Sequence, residues 1–385
     1  MINFDFNNDC TGCSACADSC SKHCITMDKN KYGFVVPYIN VEACNDCKKC
    51  EKVCPVLNTK VASSSTPQLY SAYNVDIEER KAGSSGSIML VLARYILKLD
   101  GVVYGAAFDE KLKLCHTRAT TLDDVYLQMK SKYLQSATVG VYRKVRKDLR
   151  EGRFVLFVGT PCQCQALNNF LGKERTDKLL LVDFICHGVP SQELFDKSIA
   201  YYESHEKCKI VKFSFRQKGK DNLRNYYLQI IKNGKLEVKQ GEAHTFPFYC
   251  GYLKYIAFRE SCYKCKFVGQ RRITDFTLGD FWGLQKVMPA LNFNKGISMM
   301  LVNSSLGSLT FNKIKKEISY ETYNLDSPIA KNHAYLKATR KSILHSLFMH
   351  DYLSLPYDKL EKRYFMWNKR SINWIIYAII KKIGI

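Results

Sequence analysis

The chain has 385 residues, a formal charge of +22 and 46% hydrophobic residues, enough length and apolar content for a folded protein with more than one core. No apolar stretch reaches the eighteen or so residues of a membrane-spanning helix, and no recognised nucleic-acid-binding motif accompanies the positive charge. The opening MINFDFNNDC has neither a basic nor an apolar segment, so no signal peptide is expected. In a reducing, cytoplasmic setting, seventeen cysteines point to metal or redox chemistry rather than disulfides.

Eight of those cysteines open the chain in two runs, Cys10, Cys13, Cys16, Cys20 and Cys44, Cys47, Cys50, Cys54, each spaced C-x-x-C-x-x-C-x-x-x-C. Three thiolates two residues apart wrap one face of a four-iron cube, and the fourth comes from elsewhere. The spacing resembles the bacterial two-cluster ferredoxin, in which the fourth cysteine of each run serves the other cluster. One 4Fe-4S cluster is therefore expected on Cys10, Cys13, Cys16 and Cys54, and a second on Cys44, Cys47, Cys50 and Cys20. A zinc site prefers two separated C-x-x-C pairs, and a disulfide scaffold suits another compartment. Pro55 follows the second run, whereas Ser21 follows the first; Cys24 is spare in this count. Residues 1–60 form this ferredoxin-type domain, with a short strand at Tyr32–Ile39, and the ASSSTP of 62–67 reads as a linker.

From 68 to 310, apolar strands alternate with helical patterns. Strands are expected at Gly101–Phe108, Phe154–Val158 and Leu179–Phe184, and helices at Ile88–Leu97, Val139–Leu149, Gln163–Leu171 and Gln192–Glu203. Such alternation implies an α/β core with both sheet faces covered. Ile210–Phe215, Tyr226–Lys232 and Lys235–Lys239 read as antiparallel strands, the last two joined by a turn at Asn233-Gly234. The fold class is thus mixed, α+β or α/β: a small ferredoxin-like domain, a mixed α/β domain in parts 68–150 and 151–310, and a basic, partly helical extension at 311–385. Within that extension, Trp374, Ile375, Ile376, Ile379 and Ile380 make an apolar surface beside two lysines, which suits docking on the body or peripheral contact with the inner membrane surface.

Three stretches carry chemistry. Lys81–Ser87 (KAGSSGS) opens into an apolar helix, and small residues there let a phosphate meet unpaired N–H groups; an N-cap serine in a Ser/Gly turn explains it equally well. Cys162 in GTPCQ and Cys186 in CHGVP each follow a buried strand, where open α/β sheets place their ligands. Cys262 and Cys265 add a C-x-x-C, so these four could hold a third 4Fe-4S cluster; buried structural cysteines with a zinc or dithiol site fit the same spacing. Cys164 is an extra thiol beside Cys162. His187 titrates near neutrality and is a candidate proton donor, or a hydrogen-bonded structural residue. Asp280 and Trp282 in GDFWG shape a pocket or pack a strand end.

The ferredoxin runs, the Ser/Gly turn, SKYLQS (131–136), GTPCQ (159–163), ICHGVP (185–190), SCYKCKF (261–267) and DFTLGDFWG (275–283) occur in the order seen in the coenzyme F-420 (deazaflavin) hydrogenase/dehydrogenase beta-subunit family. The resemblance covers about residues 1–310. It implies a deazaflavin-dehydrogenase-like domain and a flavin-dependent oxidoreductase that passes electrons between 4Fe-4S clusters and a small substrate, of deazaflavin type or from polysaccharide synthesis. It also implies FAD near Ser84, Ser85 and Gly86, with Lys132 and Tyr133 close to flavin or substrate, Lys132 and His187 as catalytic candidates, and the third cluster on Cys162, Cys186, Cys262 and Cys265. The turn departs from the family's usual S-S-S-G-G at Ser87. A non-catalytic electron-transfer subunit feeding a partner enzyme is the alternative. The basic surface suits an acidic electron-transfer protein such as a ferredoxin, or a partner redox subunit.

Overall fold

The computed structural model describes residues 2, 4–60, 66–218, 225–269, 272–284, 295–325 and 333–366. The apolar tail at 374–380 and most of the 62–67 linker lie outside the described residues. The strands are β1 (Ile25–Lys29), β2 (Val35–Ile39), β3 (Gln68–Asn74), β4 (Val102–Phe108), β5 (Leu114–Ala119), β6 (Val155–Gly159), β7 (Leu179–Phe184), β8 (Lys209–Gln217), β9 (Asn225–Lys232), β10 (Lys235–Glu242), β11 (Phe276–Asp280), β12 (Ser298–Val302) and β13 (Ile318–Tyr323). The helices used below are α1 (Ala15–Ser19), α2 (Lys49–Val53), α3 (Ile77–Ala82), α4 (Ile88–Lys98), α5 (Leu122–Gln128), α6 (Val141–Arg150), α7 (Pro161–Leu171), α8 (Gln192–Glu206) and α9 (Pro247–Leu253).

One mixed sheet organises the body, in the order β13-β3-β12-β11-β7-β6-β4-β5. Its centre is parallel, β11 beside β7, β7 beside β6 and β6 beside β4, while β12, β3, β13 and β5 add antiparallel strands. The central strands alternate their faces. Val102, Tyr104, Val155, Phe157, Leu179 and Leu181 enter a core with Tyr142 and Val145 of α6 and Leu167 and Phe170 of α7. Val103, Leu156, Leu180 and Val182 enter the opposite core with Leu90, Val91 and Ile96 of α4. Burying such a side chain contributes about 1.5–3 kcal/mol, so covering both faces sets the strand order and leaves the strand ends free for chemistry. A separate sheet, β10-β9-β8, closes a third core with α8 and α9, rich in phenylalanine and tyrosine.

The N-terminal module repeats itself in backbone as well as sequence. Gly12 and Ser14 take left-handed φ of 66° and 63°, and Asp46 and Lys48, at the same places in the second run, take 49° and 58°. A left-handed non-glycine residue costs about 1–2 kcal/mol, so this winding is upheld by what surrounds it. α1 and α2 follow these turns, and Cys20 and Cys54 are their C-caps. The module packs onto the body: Cys13, Ala15 and Val53 join the α6/α7 core. Among the described residues no helix is long and apolar enough to cross a membrane.

Candidate metal centres

None of the seventeen cysteines is paired in a disulfide. Thirteen of them line three cavities. Cys10, Cys13, Cys16 and Cys54 surround one of about 310 Å³. Cys20, Cys44, Cys47 and Cys50 surround another of about 330 Å³, and Cys24 lines it too. In each, the fourth cysteine comes from the other run. Helix pairing causes this: α1 lies against α2, and each C-cap points across to its neighbour's loop.

The third cavity, of about 610 Å³, is lined by Cys162, Cys186, Cys262 and Cys265, with His187 and Thr160. β6 and β7 are parallel neighbours, with Gly159 opposite Asp183, so the segments that leave their carboxyl ends carry Cys162 and Cys186 to the same edge. Pro161 opens α7, and Gln163 accepts the Thr160 N–H at 3.0 Å, which fixes the first turn around Cys162. Thr11 lines this cavity and the first one alike.

Burial pushes the thiols in the third cavity up, Cys162 to about 11 and Cys262 to about 12, and raises Cys186 further, with its neighbours Cys262, Cys162 and Cys265 adding to the effect. A coordinated cation deprotonates a thiol outright, so thiolates converging at such depth fit a positively charged cluster core. Among the described residues no three of these side chains are set to hold a single metal ion; the ligands of a four-iron cube stand wider apart, around its corners. The Gly12 N–H donates to Cys10 Sγ at 3.2 Å, the kind of hydrogen bond that tunes an iron–sulfur potential.

The Ser/Gly turn lies at the other end of a polar network. Ser85 Oγ lies 2.8 Å from both Asp280 Oδ1 and the Ile297 carbonyl oxygen, either of which can accept its hydrogen. Asp280 pairs with buried Arg216 at 2.9 Å, and Arg216 Nη1 reaches the Tyr133 hydroxyl at 3.2 Å. Ser85, Tyr133 and Asp280 are thus brought together by Arg216, which in the sequence is only part of a charged run. Lys218 donates to the Ser85 carbonyl at 2.6 Å, and burial, with the charges of Arg80 and Arg216, pushes it down to about 7. The turn's own hydroxyls are largely engaged. Ser84 Oγ accepts from the Ser131 N–H at 2.9 Å, and Ser87 Oγ donates to the Glu79 carbonyl at 2.8 Å. Gly86 is required by packing: a Cβ there would lie 2.2 Å from the Ala72 carbonyl oxygen.

Lys132 Nζ donates to the Leu127, Gln128 and Met129 carbonyls at 3.1, 2.7 and 2.7 Å. It spends its three donors on the C-terminal end of α5, and burial pushes it down to about 7. His187 stacks on Tyr255, centroids 5.9 Å apart, on the wall of the third cavity. Trp282 is 45% exposed. Cys164 is fully buried and donates to the Val182 carbonyl, away from the set formed by Cys162. Two further residues are given no role by the sequence, although Gln135 lies within SKYLQS. Arg259, 1% exposed, and Gln135 join the third cavity to the N-terminal module, with Gln135 Nε2 donating to the Thr11 carbonyl at 2.7 Å.

Residues 152–328 match the family model for the C terminus of the coenzyme F420 hydrogenase/dehydrogenase beta subunit, and residues 9–58 match the 4Fe-4S dicluster domain. The chain therefore carries a 4Fe-4S dicluster domain and, over just under half of its length, a domain similar to the C terminus of the coenzyme F420 hydrogenase/dehydrogenase beta subunit. The dicluster match makes it an iron–sulfur protein. All eight N-terminal cysteines fall within the dicluster match, and Cys162, Cys186, Cys262 and Cys265 within the beta-subunit match, whereas Ser84–Gly86, Lys132 and Tyr133 lie outside both. A xenon-derivatized structure of the F420-reducing [NiFe] hydrogenase complex from Methanosarcina barkeri contains a chain 15% identical to this one. That match covers 78% of this chain and 92% of the other, with a TM-score of 0.42. No curated protein matches the chain.

Proposed function

We propose that this chain is a member of the beta-subunit family and an iron–sulfur flavoprotein oxidoreductase acting on a small substrate, of the deazaflavin class that the family's description names. Under this reading it holds three 4Fe-4S clusters, on Cys10/Cys13/Cys16/Cys54, Cys20/Cys44/Cys47/Cys50 and Cys162/Cys186/Cys262/Cys265, and FAD beside Ser84–Gly86. Clusters supply one-electron chemistry and a flavin converts it to two-electron chemistry. The observation that carries the proposal is the common wall of the first and third cavities at Thr11, which puts two four-cysteine sets side by side.

The chain's own residues would then act as follows. Arg216 keeps positive charge beside the Ser84–Gly86 turn, where anionic phosphates of a dinucleotide would lie, Lys218 would take up its proton against those phosphates, and Asp280 orients Arg216. Tyr133 and Tyr252 stack with centroids 4.3 Å apart and form an apolar aromatic wall below the network. Lys132, its donors spent on carbonyls, holds the loop that carries Tyr133. His187 offers an imidazole at the third cavity. The protein works in a reducing compartment, and an acidic ferredoxin or a redox partner subunit exchanges electrons with the exposed Cys47 side of the second cavity. The engagement of the Ser84 and Ser87 hydroxyls within the protein favours a second reading, an electron-transfer subunit without flavin.

Iron, sulfide and flavin content of the full chain, purified without oxygen, decides between them. About twelve iron and twelve sulfide with one flavin per chain supports the flavoenzyme. About eight iron and no flavin overturns both the third cluster and the flavin, and leaves a two-cluster relay.

A further inference from the structure

We propose that Arg259 is the built-in counter-cation of two neighbouring iron–sulfur centres, those of Cys10/Cys13/Cys16/Cys54 and Cys162/Cys186/Cys262/Cys265, and that its charge holds both reduction potentials up together. This rests on reading both cysteine sets as cluster ligands.

The guanidinium is buried and immobilised. Its Nε and Nη2 donate to Gln135 Oε1 at 3.0 and 2.6 Å, Nη1 to the Cys10 carbonyl at 3.2 Å, and Nη2 to the Val35 carbonyl at 2.9 Å. Its backbone N–H donates to the Val189 carbonyl at 2.9 Å. Gly12 leaves room for it, since a Cβ at that residue would stand 2.7 Å from Nη2. Every one of these acceptors is uncharged. Two of the other buried guanidinium groups face carboxylates, Arg216 with Asp280 and Arg272 with Asp183, each at 2.9 Å, while Arg80 donates to the Gly296 carbonyl, away from both cysteine sets. A buried charge without a counter-charge is costly, and for Arg259, among the described residues, the groups that supply negative charge are cysteines. Its field acts on Cys10, Cys262, Cys162 and Cys13, drawn from two sets. Reducing a cluster adds one electron, and in a medium of low dielectric a nearby fixed cation favours the reduced form. No cysteine of the Cys20/Cys44/Cys47/Cys50 set is among the groups that act most strongly on Arg259, so that set serves as an internal reference.

The test is a potentiometric titration followed by electron paramagnetic resonance, on full chains purified without oxygen: unsubstituted, Arg259→Gln, Arg259→Lys and Gln135→Glu. Iron and sulfide content is read first. About eight iron in the unsubstituted chain overturns the three-cluster reading itself, independently of any potential. The proposal expects Arg259→Gln to lower the midpoint potentials of the first and third centres while the second keeps its own, and Arg259→Lys to restore most of the difference. Gln135→Glu keeps the guanidinium but pairs it with a carboxylate, and lowers the same two potentials. Unchanged potentials in iron-replete Arg259→Gln, or an equal shift of all three, overturns the proposal. Should Arg259→Gln fail to fold, unchanged potentials in Gln135→Glu overturn it as well.

Discussion

Cys24 sits with its Sγ 3.3 Å from that of Cys20, and both line the cavity of the second cysteine set. The sequence count leaves Cys24 spare, because it stands four residues beyond the end of the run. The chain turns at Cys20, the C-cap of α1, and comes back into β1, which returns Cys24 to the same wall. A thiolate that close is a ready substitute ligand. Cys20→Ser is therefore expected to keep a substantial part of the second cluster's iron, while Cys20→Ser/Cys24→Ser loses about four iron per chain. Iron analysis and visible absorbance check this, and a single variant as depleted as the double would exclude the substitution. Lys132 illustrates the opposite case. A lysine in a family motif reads as a group that meets a ligand, yet here its ammonium closes α5 through three carbonyls.

The elements legible in the sequence were those with one clear periodicity. The strands at 101–108, 154–158 and 179–184, and the helix at 88–97, correspond to β4, β6, β7 and α4 within a residue or two. β5 was not legible, because the residue that packs inward at its centre is His116 rather than an aliphatic one, and β3, β12 and β13 become a sheet only through long-range pairing. The cysteine sets were legible for a chemical reason: ligands two residues apart announce themselves locally. Arg259, Gln135 and Arg216 were not, since each acquires its role from residues more than sixty positions away. His116 also has a measurable signature. Ser136 Oγ lies 2.9 Å from its Nδ1 and the Val158 carbonyl 3.0 Å from its Nε2, and burial pushes it down to about 4. That lies below its unfolded value of about 6.5, so the unfolded chain binds the extra proton. Its contribution is complete above about pH 6.5 and is lost as pH falls toward 4, with a slope of at most about 1.4 kcal/mol per pH unit. Glu361, raised to about 7 by burial, contributes in the opposite sense, losing stability as pH rises. The comparison is therefore between wild type and His116→Gln: their denaturation free energies should converge as pH is lowered from 7 to 5. Parallel curves would show that the buried imidazole takes up its proton as readily as the unfolded one.

At the scale of the whole molecule, the N-terminal module is wired into the body by its own backbone. Its ligand loops are wound left-handed and cannot pair their carbonyls locally, so the body supplies donors: Gln135 to Thr11, Arg259 and Ser261 to Cys10, Thr138 to Cys13, and Asn169 to Asn58. The body borrows in return. α6 starts at Gly140, which has no side chain to cap it, and Asp18 of α1 takes that role, accepting the Gly140 N–H at 2.6 Å and the Tyr142 N–H at 3.1 Å. A carboxylate at a helix N-terminus both satisfies orphan donors and opposes the helix dipole. Because cap and helix belong to different modules, their stabilities are joined: neither loop set nor α6 is complete alone. Asp18→Ala leaves one buried and one half-buried donor unpaired and should cost about 1–3 kcal/mol of global stability. It should also speed hydrogen exchange at the Gly140 and Tyr142 amides and, because the modules are coupled, at amides of α1. Thermal unfolding of the unsubstituted chain should be one transition reported alike by cluster absorbance and by helix signal. If Asp18→Ala speeds exchange in α6 alone, leaving α1 and cluster absorbance at their wild-type values, the modules are merely adjacent, and the coupling argued here is wrong.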